Sequence, residues 1–487
     1  MKLAVRATEL FVNNLRARMP FRYGIVTMTR VPHLLLRLSL EIDGRVQHGF
    51  AADNLAPKWF TKDPNTSYCD DLRDMIAVIR HACEAAREAG AAESVFALWQ
   101  QLYAAQKEWA AGRGFPPLLW GFGVSWVERA VIDAFCRARG VPFGEAVRTN
   151  ALGVRLDAIY PELAGTEPRD FLPPAASEKL IVRHTVGVTD PLTDPEIPEG
   201  ERAADGLPQS LQACIRAYRV FYFKIKLSGD AERDRARLHR ILGLLEGHGT
   251  PFALTLDGNE NYHAVPPFRE LWESFMADAV IARFLDHLLF FEQPLHRDVA
   301  LSAKAADELL RWPERPSMII DESDAEAGTL AHALESGYAG TSHKNCKGVF
   351  KSIANASLIA HRQRRNPGAR LHMSAEDLTN VGPVALLQDL AAVAALGIPH
   401  VERNGHHYFA GLSEFPAPMQ RDVLAAHGDL YTAHPSGFPV VRIADGRLRM
   451  GSIIAAPFGL ACDLDAAAFE RLEDWSYDSL FGEAVKR

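Results

Sequence analysis

The sequence predicts an α/β protein: a (β/α)8-type (modified TIM) barrel carrying an N-terminal α+β capping domain that the C-terminal segment completes. Three observations predict it. Hairpin-like strands followed by helices fill the first third of the chain. From about residue 180, short apolar β-like runs, each closed by a polar residue, alternate with helical segments. Beyond residue 440 a strand pattern returns. The expected boundaries are 1–160 for the capping domain, 175–440 for the barrel and 441–487 for the returning segment.

The chain has 487 residues, of which 48% are hydrophobic, enough for a sizeable core in two or three domains. A net charge of −8 argues against a nucleic-acid or anionic-membrane surface. No run approaches the roughly 18 apolar residues of a membrane helix. "MKLAVRATEL" interrupts its apolar residues with charge and does not read as a signal peptide. The six cysteines are scattered without a CxxC pair, as for reduced thiols in the cytoplasm. A homo-oligomer acting on a small molecule is expected.

In order along the chain, "HLLLRLSLEIDGRVQHGF" alternates and turns at Asp43-Gly44, a hairpin signal. In "CDDLRDMIAVIRHACEAAREAG", Leu72, Met75, Ile76, Ile79 and Cys83 fall at helical spacing, with Gly90 placed to end the helix. "SWVERAVIDAFCRARG" predicts a second helix, with Ser125 and Glu128 as a capping box and Gly140 at its C-terminal end. Residues 160–179 are Pro-rich and read as a linker or surface insertion. "KLIVRHTVG" opens the barrel. "FYFKIK", "PFALTLD", "HLLFFE", "SMIID", "YAGTSHK", "RLHMS" and "PHVE" follow, ending in Lys226, Asp257, Glu292, Asp321, Lys344, His372 and Glu402. Their intervals of 23 to 35 residues are about the length of one βα unit. "VVRIADGRLRMGS" reads as a further hairpin.

In such barrels the reactive groups gather at the C-terminal ends of the strands. Three carboxylates on consecutive strand ends, Asp257, Glu292 and Asp321, would repel one another unless some protonate or bind a cation. Oxygen ligands without Cys or His select a hard divalent ion, Mg²⁺ first, with Mn²⁺ as the alternative. Lys224 and Lys226 share a strand face. A like charge and a nearby metal should depress the Lys226 pKa and make it a neutral base. Lys344, four strands round, would face it across the mouth. Two opposed bases suit removal or exchange of a proton next to a carboxylate, through an enediolate that the metal neutralises. His263, His296, His343, His406 and His407, with Asn261, Tyr262 and Tyr408, lie just beyond strand ends and suggest a mouth for a polar acid.

"KIK" (224–226), "DGN" (257–259), "EQP" (292–294), "DES" (321–323) and "KNCKG" (344–348), in this order and spacing, resemble the enolase superfamily, most closely its mandelate racemase and muconate-lactonising branch. The likeness runs over nearly the whole chain. It implies Mg²⁺ on Asp257, Glu292 and Asp321, and Lys226 as a base with Lys224 tuning it and meeting the substrate carboxylate. Lys344 would be acid or base on the other face. Asn259 would support Asp257, Glu322 would stand behind the ligands, and Glu402 would sit near the developing oxyanion. The racemase-type Asp–His dyad is absent: Lys344 holds the sixth strand end, and Glu376 stands where the histidine is expected. His372, four residues earlier, is either a site residue or a packed strand histidine. Lys347 competes with Lys344 for the base role, and its place just before a helix favours Lys344. The loops at 19–28 and 52–63 match those that close the site in this family, which makes Arg22, Tyr23, Lys58 and Trp59 specificity candidates.

The implied reaction is Mg²⁺-dependent racemisation, epimerisation or cycloisomerisation of a small carboxylic acid. Dehydration of an acid sugar is the alternative on the same scaffold. A Schiff-base aldolase leaves the three carboxylates unexplained. A catalytically silent binding relative is the more distant reading.

Overall fold

A computed structural model describes residues 1–481. The capping sheet is an antiparallel meander of β1 (Leu3–Tyr23), β2 (Val26–Ile42) and β3 (Arg45–Asn54). The turn between β2 and β3 has positive φ at both Asp43 and Gly44 (50° and 84°), as a two-residue hairpin of this twist requires. Alternation along β2 buries Leu34, Leu36, Leu38 and Leu40 against the helices α1 (Tyr68–Glu88), α2 (Val95–Ala111) and α3 (Pro117–Arg139). Gly49 on β3 lets α3 approach: a Cβ there would lie 2.1 Å from the Ala130 carbonyl oxygen.

The start of α3 differs from the sequence expectation. The helix begins at Pro117 behind Pro116, because the apolar run "LLWGFGV" extends it N-terminally and proline fixes its first turn. Ser125 therefore lies mid-helix, bonded to the Phe122 carbonyl at 2.7 Å. Glu128 caps a different helix: its carboxylate accepts from the Val349 and Phe350 N–H groups at 3.0 and 2.7 Å, at the head of the barrel helix Val349–Arg365. Gly140 ends α3 in the left-handed region, as its position predicted.

Eight parallel strands form the curled barrel sheet: β4 (Lys179–Val186), β5 (Tyr222–Lys226), β6 (Ala253–Asp257), β7 (Leu288–Glu292), β8 (Met318–Ile320), β9 (Gly340–His343), β10 (His372–Ala375) and β11 (His400–Glu402). Their order is β10-β9-β8-β7-β6-β5-β4-β11. β10 and β11 lie against each other, and the Arg183 guanidinium of β4 spans to Ser374 Oγ at 2.7 Å. The register sets Lys226 opposite Asp257 and Asp257 opposite Glu292, so three charged residues share one level.

The C-terminal strands distribute themselves differently from a simple hairpin. A short ladder joins β12 (Tyr431–Ala433) to β13 (Pro439–Val441). The Asp445-Gly446 turn delivers β14 (Arg447–Arg449) antiparallel to β4, and β15 (Glu470–Arg471) adds to the edge of β1. The capping sheet also grips the barrel mouth. Asp53 accepts from Asn380 at 2.8 Å and pairs with the buried Arg129, while Asn54 donates to the Thr379 carbonyl at 3.1 Å. The loop after β10 is thereby fastened to the end of β3. No helix among the described residues is long and apolar enough to cross a membrane.

Candidate active site

The strand ends converge on Lys224. Its ammonium, 2% exposed, lies 3.1 Å from Asp257, 2.9 Å from Glu292, 2.9 Å from Glu376 and 3.1 Å from Glu402. Lys226 shares the same Asp257 oxygen at 3.0 Å and bonds Asn259 Oδ1 at 3.0 Å. Asp321, just past β8, accepts from Lys344 at 2.6 Å on one oxygen and from Lys347 at 3.0 Å on the other. Lys344 also reaches Glu376 at 3.2 Å, and Glu376 is held from below by Arg183 at 3.0 Å.

Local backbone sets these groups. Asn259, Glu260 and Gln293 all have positive φ (47°, 60° and 34°), so the turns after β6 and β7 are held in a conformation that side chains rarely adopt. Gly258 fits between them because a Cβ would meet Pro294 Cα at 2.6 Å. Gln293 stitches the next loop, accepting from the Asp321 N–H at 2.7 Å and donating to Ser323 Oγ at 2.8 Å.

The protein's own charges act against the depression expected for Lys226. Burial works to lower the Lys226 pKa, and Lys224 adds to that, yet Asp257 and Glu402 together raise it. The Lys224 and Lys344 ammoniums are likewise raised despite burial, by Asp257 and Glu292 for the first and Asp321 for the second. Burial and then the Glu376 charge hold the Glu292 carboxyl well above the usual range. Glu376 resists burial and is pulled low by Lys224, Lys344 and Arg183. Glu322 is pushed up to about 7, by burial and then by Asp321.

Carboxylate oxygens of Glu292, Asp321 and Glu376 lie within 4.8 Å of one another. Glu292 Oε2 is buried without a hydrogen-bond partner among the described residues. An all-oxygen cluster with an unsatisfied buried oxygen fits a hard divalent cation. Asp257, the third ligand expected from the sequence, lines the same cavity but is engaged by Lys224 and Lys226.

The cavity has a volume of about 70 Å³ and opens to solvent. Barrel residues Lys224, Lys226, Asp257, Asn259, Asp321, Glu322, Lys344, Glu376 and Glu402 line it. The capping domain supplies Tyr23, Lys58, Trp59 and Lys62. The Trp59 ring centroid lies 4.5 Å from the Lys344 ammonium. Tyr23 donates to the Pro57 carbonyl at 3.0 Å, and Lys58 is turned to Asp71 at 3.1 Å, so its charge serves the loop. Lys62 donates to the Asn259 carbonyl at 2.8 Å and pairs with Glu260 at 3.1 Å. Arg297 binds Glu260 at 2.7 Å and the Trp59 and Phe60 carbonyls at 3.0 Å each. This Lys62–Glu260–Arg297 clasp was not read from the sequence. Its only signal is proximity of Glu260 and Arg297 to "DGN" and "EQP".

Several candidates fall elsewhere. His372 starts β10 rather than ending it, opposite Gly340 at the far end of the barrel and 5.5 Å from the Phe290 ring. Glu376 occupies the mouth in its place. Lys347 is buried beneath Asp321 and does not line the cavity, which leaves Lys344 as the lysine facing it. Arg22 pairs with Glu201 at 2.6 Å outside the cavity. None of the expected mouth histidines lines it: His263 stacks on His296, and His343, His406 and His407 are buried.

Among solved structures, the chain superposes on an enolase from Bradyrhizobium complexed with magnesium and mandelic acid (TM-score 0.56, 15% identity, 96% of this chain and 98% of that one). It also matches a muconate lactonizing enzyme from Mucobacterium smegmatis complexed with muconolactone (0.56, 18%, 97% and 100%). A dipeptide epimerase from Enterococcus faecalis V583 matches similarly (0.55, 14%, 94% and 99%). The fold is that of the mandelate racemase and muconate-lactonising enzymes. No family model and no curated protein matches the chain by sequence.

Proposed function

We propose that this chain is an enzyme that removes the proton α to a carboxylate of a small acid and returns a proton to give a racemised, epimerised or cycloisomerised product. The observation that carries this reading is the placement of Lys226 and Lys344. They stand four strands apart in an eight-strand ring, on either side of a carboxylate cluster at the mouth of one cavity. Magnesium fits that cluster, held by Glu292 and Asp321 with a third carboxylate. The sequence resemblance names Asp257 for that place, and the oxygen spacing names Glu376. A bound ion supplies positive charge where the substrate's carboxylate gathers negative charge.

The protein's own groups divide the remaining tasks. A neutral Lys226 takes the α-proton onto Nζ, and Lys224 is the neighbour whose charge favours that neutral form. The Lys344 ammonium donates its proton from the opposite side, which inverts the centre. Asn259 Oδ1 accepts from Lys226 Nζ and orients it, and Glu402, held by Asn404 at 2.9 Å, faces the same space. Trp59 and the Lys62–Glu260–Arg297 clasp narrow the cavity's opening to water. The six cysteines are all unpaired, in keeping with a reducing, cytoplasmic setting.

The test is proton NMR in D₂O with Mg²⁺ and a panel of hydroxy acids, sugar acids, N-acyl amino acids and dipeptides. Loss of an α-proton signal without loss of water supports the proposal. Loss of water from a sugar acid replaces it with the dehydratase reading. Silence from every member counts against it and favours a silent binding relative.

A further inference from the structure

We propose that His184, Cys214 and His407 form a second metal site, outside the barrel wall, for a d¹⁰ ion of the Zn²⁺ or Cu⁺ class. Side chains alternate along β4. Arg183 and Thr185 point into the barrel, to Glu376 and Glu402, so His184 points outward. There it meets Cys214 from the helix Leu211–Tyr218 and His407 from the short helix Gly405–Tyr408. All three are buried.

The spacing suits an ion. One ligand atom from each residue lies within 4.8 Å of the others, and Cys214 Sγ is 3.7 Å from His407 Nδ1. Metal–nitrogen bonds near ~2.0 Å and metal–sulfur bonds near ~2.3 Å place neighbouring ligands about 3.5 Å apart, so a small contraction completes the set. A thiol hydrogen bond to His407 would satisfy that pair alone. It leaves His184 Nδ1 buried with no partner, and both ring nitrogens of the adjacent His406 are also without one among the described residues. The His184 ring centroid is 5.0 Å from that of His407 and 5.6 Å from that of His406. Both imidazoles are buried, and a neutral imidazole nitrogen is the form that ligates a metal. Thiolate with imidazole is the donor set that selects Zn²⁺ or Cu⁺ over Mg²⁺.

Two charged groups border the site. Arg18 donates to the His407 carbonyl at 3.0 Å and is paired with Asp205. Asp190 accepts from the Tyr408 hydroxyl at 2.7 Å. One thiolate neutralises Cu⁺, and with Zn²⁺ the residual positive charge has Asp190 nearby. On binding, the ion displaces the Cys214 proton to solvent. The site would pin the 405–408 turn, which follows Glu402, to β4, a role independent of the barrel chemistry.

Cobalt(II) titrated into the metal-stripped full-length protein tests it. The carboxylate cluster has no thiolate, so a near-ultraviolet thiolate-to-cobalt band reports a cysteine ligand, and Cys214→Ser identifies it. The expected result is a band that saturates with one equivalent, is absent from Cys214→Ser and is weakened in His184→Gln. Metal analysis of the protein as purified then separates zinc from copper. No band in the unsubstituted protein, whatever the variants do, overturns the proposal. So does a band unchanged in a folded Cys214→Ser protein.

Discussion

Glu376→Gln and Asp257→Asn together decide which carboxylate completes the magnesium site. The structure gives the magnitudes. In Glu376→Gln, Lys224 keeps Asp257, Glu292 and Glu402 at 3.1, 2.9 and 3.1 Å, and Lys344 keeps Asp321 at 2.6 Å. Arg183 loses the one carboxylate it pairs with among the described residues and keeps Ser374 Oγ at 2.7 Å. Breaking such a buried pair costs about 3–5 kcal/mol of stability whether or not Glu376 binds metal. Stability by itself is therefore the wrong reading. The informative quantity is the extra stability that Mg²⁺ confers, about 2.7 kcal/mol at a hundredfold excess over Kd. A variant whose Kd rises tenfold retains only about 1.4 kcal/mol of it at the same Mg²⁺ concentration. Calorimetric titration gives Kd directly, and urea midpoints with and without Mg²⁺ give the increment.

The oxygen spacing predicts that Glu376→Gln and Glu292→Gln both lose at least tenfold in affinity while Asp257→Asn loses less. The reverse order for Asp257 and Glu376 would restore the ligand set expected from the sequence. Full Mg²⁺ stabilisation in all three variants would refute the cluster as a metal site and leave it a salt-bridge network.

Four further outcomes are expected. Lys226→Ala and Lys344→Ala should each cut α-proton turnover by about 10²-fold or more, as loss of a positioned base does, with Mg²⁺ affinity little changed by calorimetry. Arg297→Ala removes the contacts to the Trp59 and Phe60 carbonyls, so amide exchange over residues 57–63 should quicken and KM should rise more than kcat falls. Gly258→Ala drives a Cβ against Pro294 Cα, and should cost about 1–3 kcal/mol in urea unfolding along with Mg²⁺ affinity. Burial pushes the Glu128 carboxyl up to about 7 from 4.5, so its contribution to stability is full below pH 4.5 and is lost as pH rises through 7; Glu128→Gln should flatten a fall of up to roughly 3 kcal/mol, read from urea midpoints across that window.

Much of the fold was legible because its signals are local. Apolar runs at βα intervals mark the strands, and the residues that close them mark the mouth. The failures occur where the deciding partner is distant. His372 looked like a strand end because "RLHMS" reads as one apolar run, but the pairing with Gly340 begins β10 there and carries the chain on to Glu376. Ser125 and Glu128 have capping-box spacing. Only packing shows that the helix already runs through them and that Glu128 serves residues more than two hundred positions away. The Lys62–Glu260–Arg297 clasp joins two domains and leaves no periodic trace.

The paired lysines of "KIK" show the same division between local and distant information. Their shared strand face was readable from alternation, and a like charge beside a metal implied a depressed pKa for Lys226. Register brings in carboxylates that alternation does not show. Lys226 lies opposite Asp257, and Asp257 lies between the two ammoniums rather than to one side. Three more carboxylates, from strands as far round as β10 and β11, close on Lys224. The pair is thus a neutralised core instead of a frustrated one. If Lys226 is the base, its proton must leave while Asp257 still favours keeping it. A cation on the carboxylates, or substrate entry, that loosens the Lys226–Asp257 contact would therefore free the base, with Lys224 acting in the same direction.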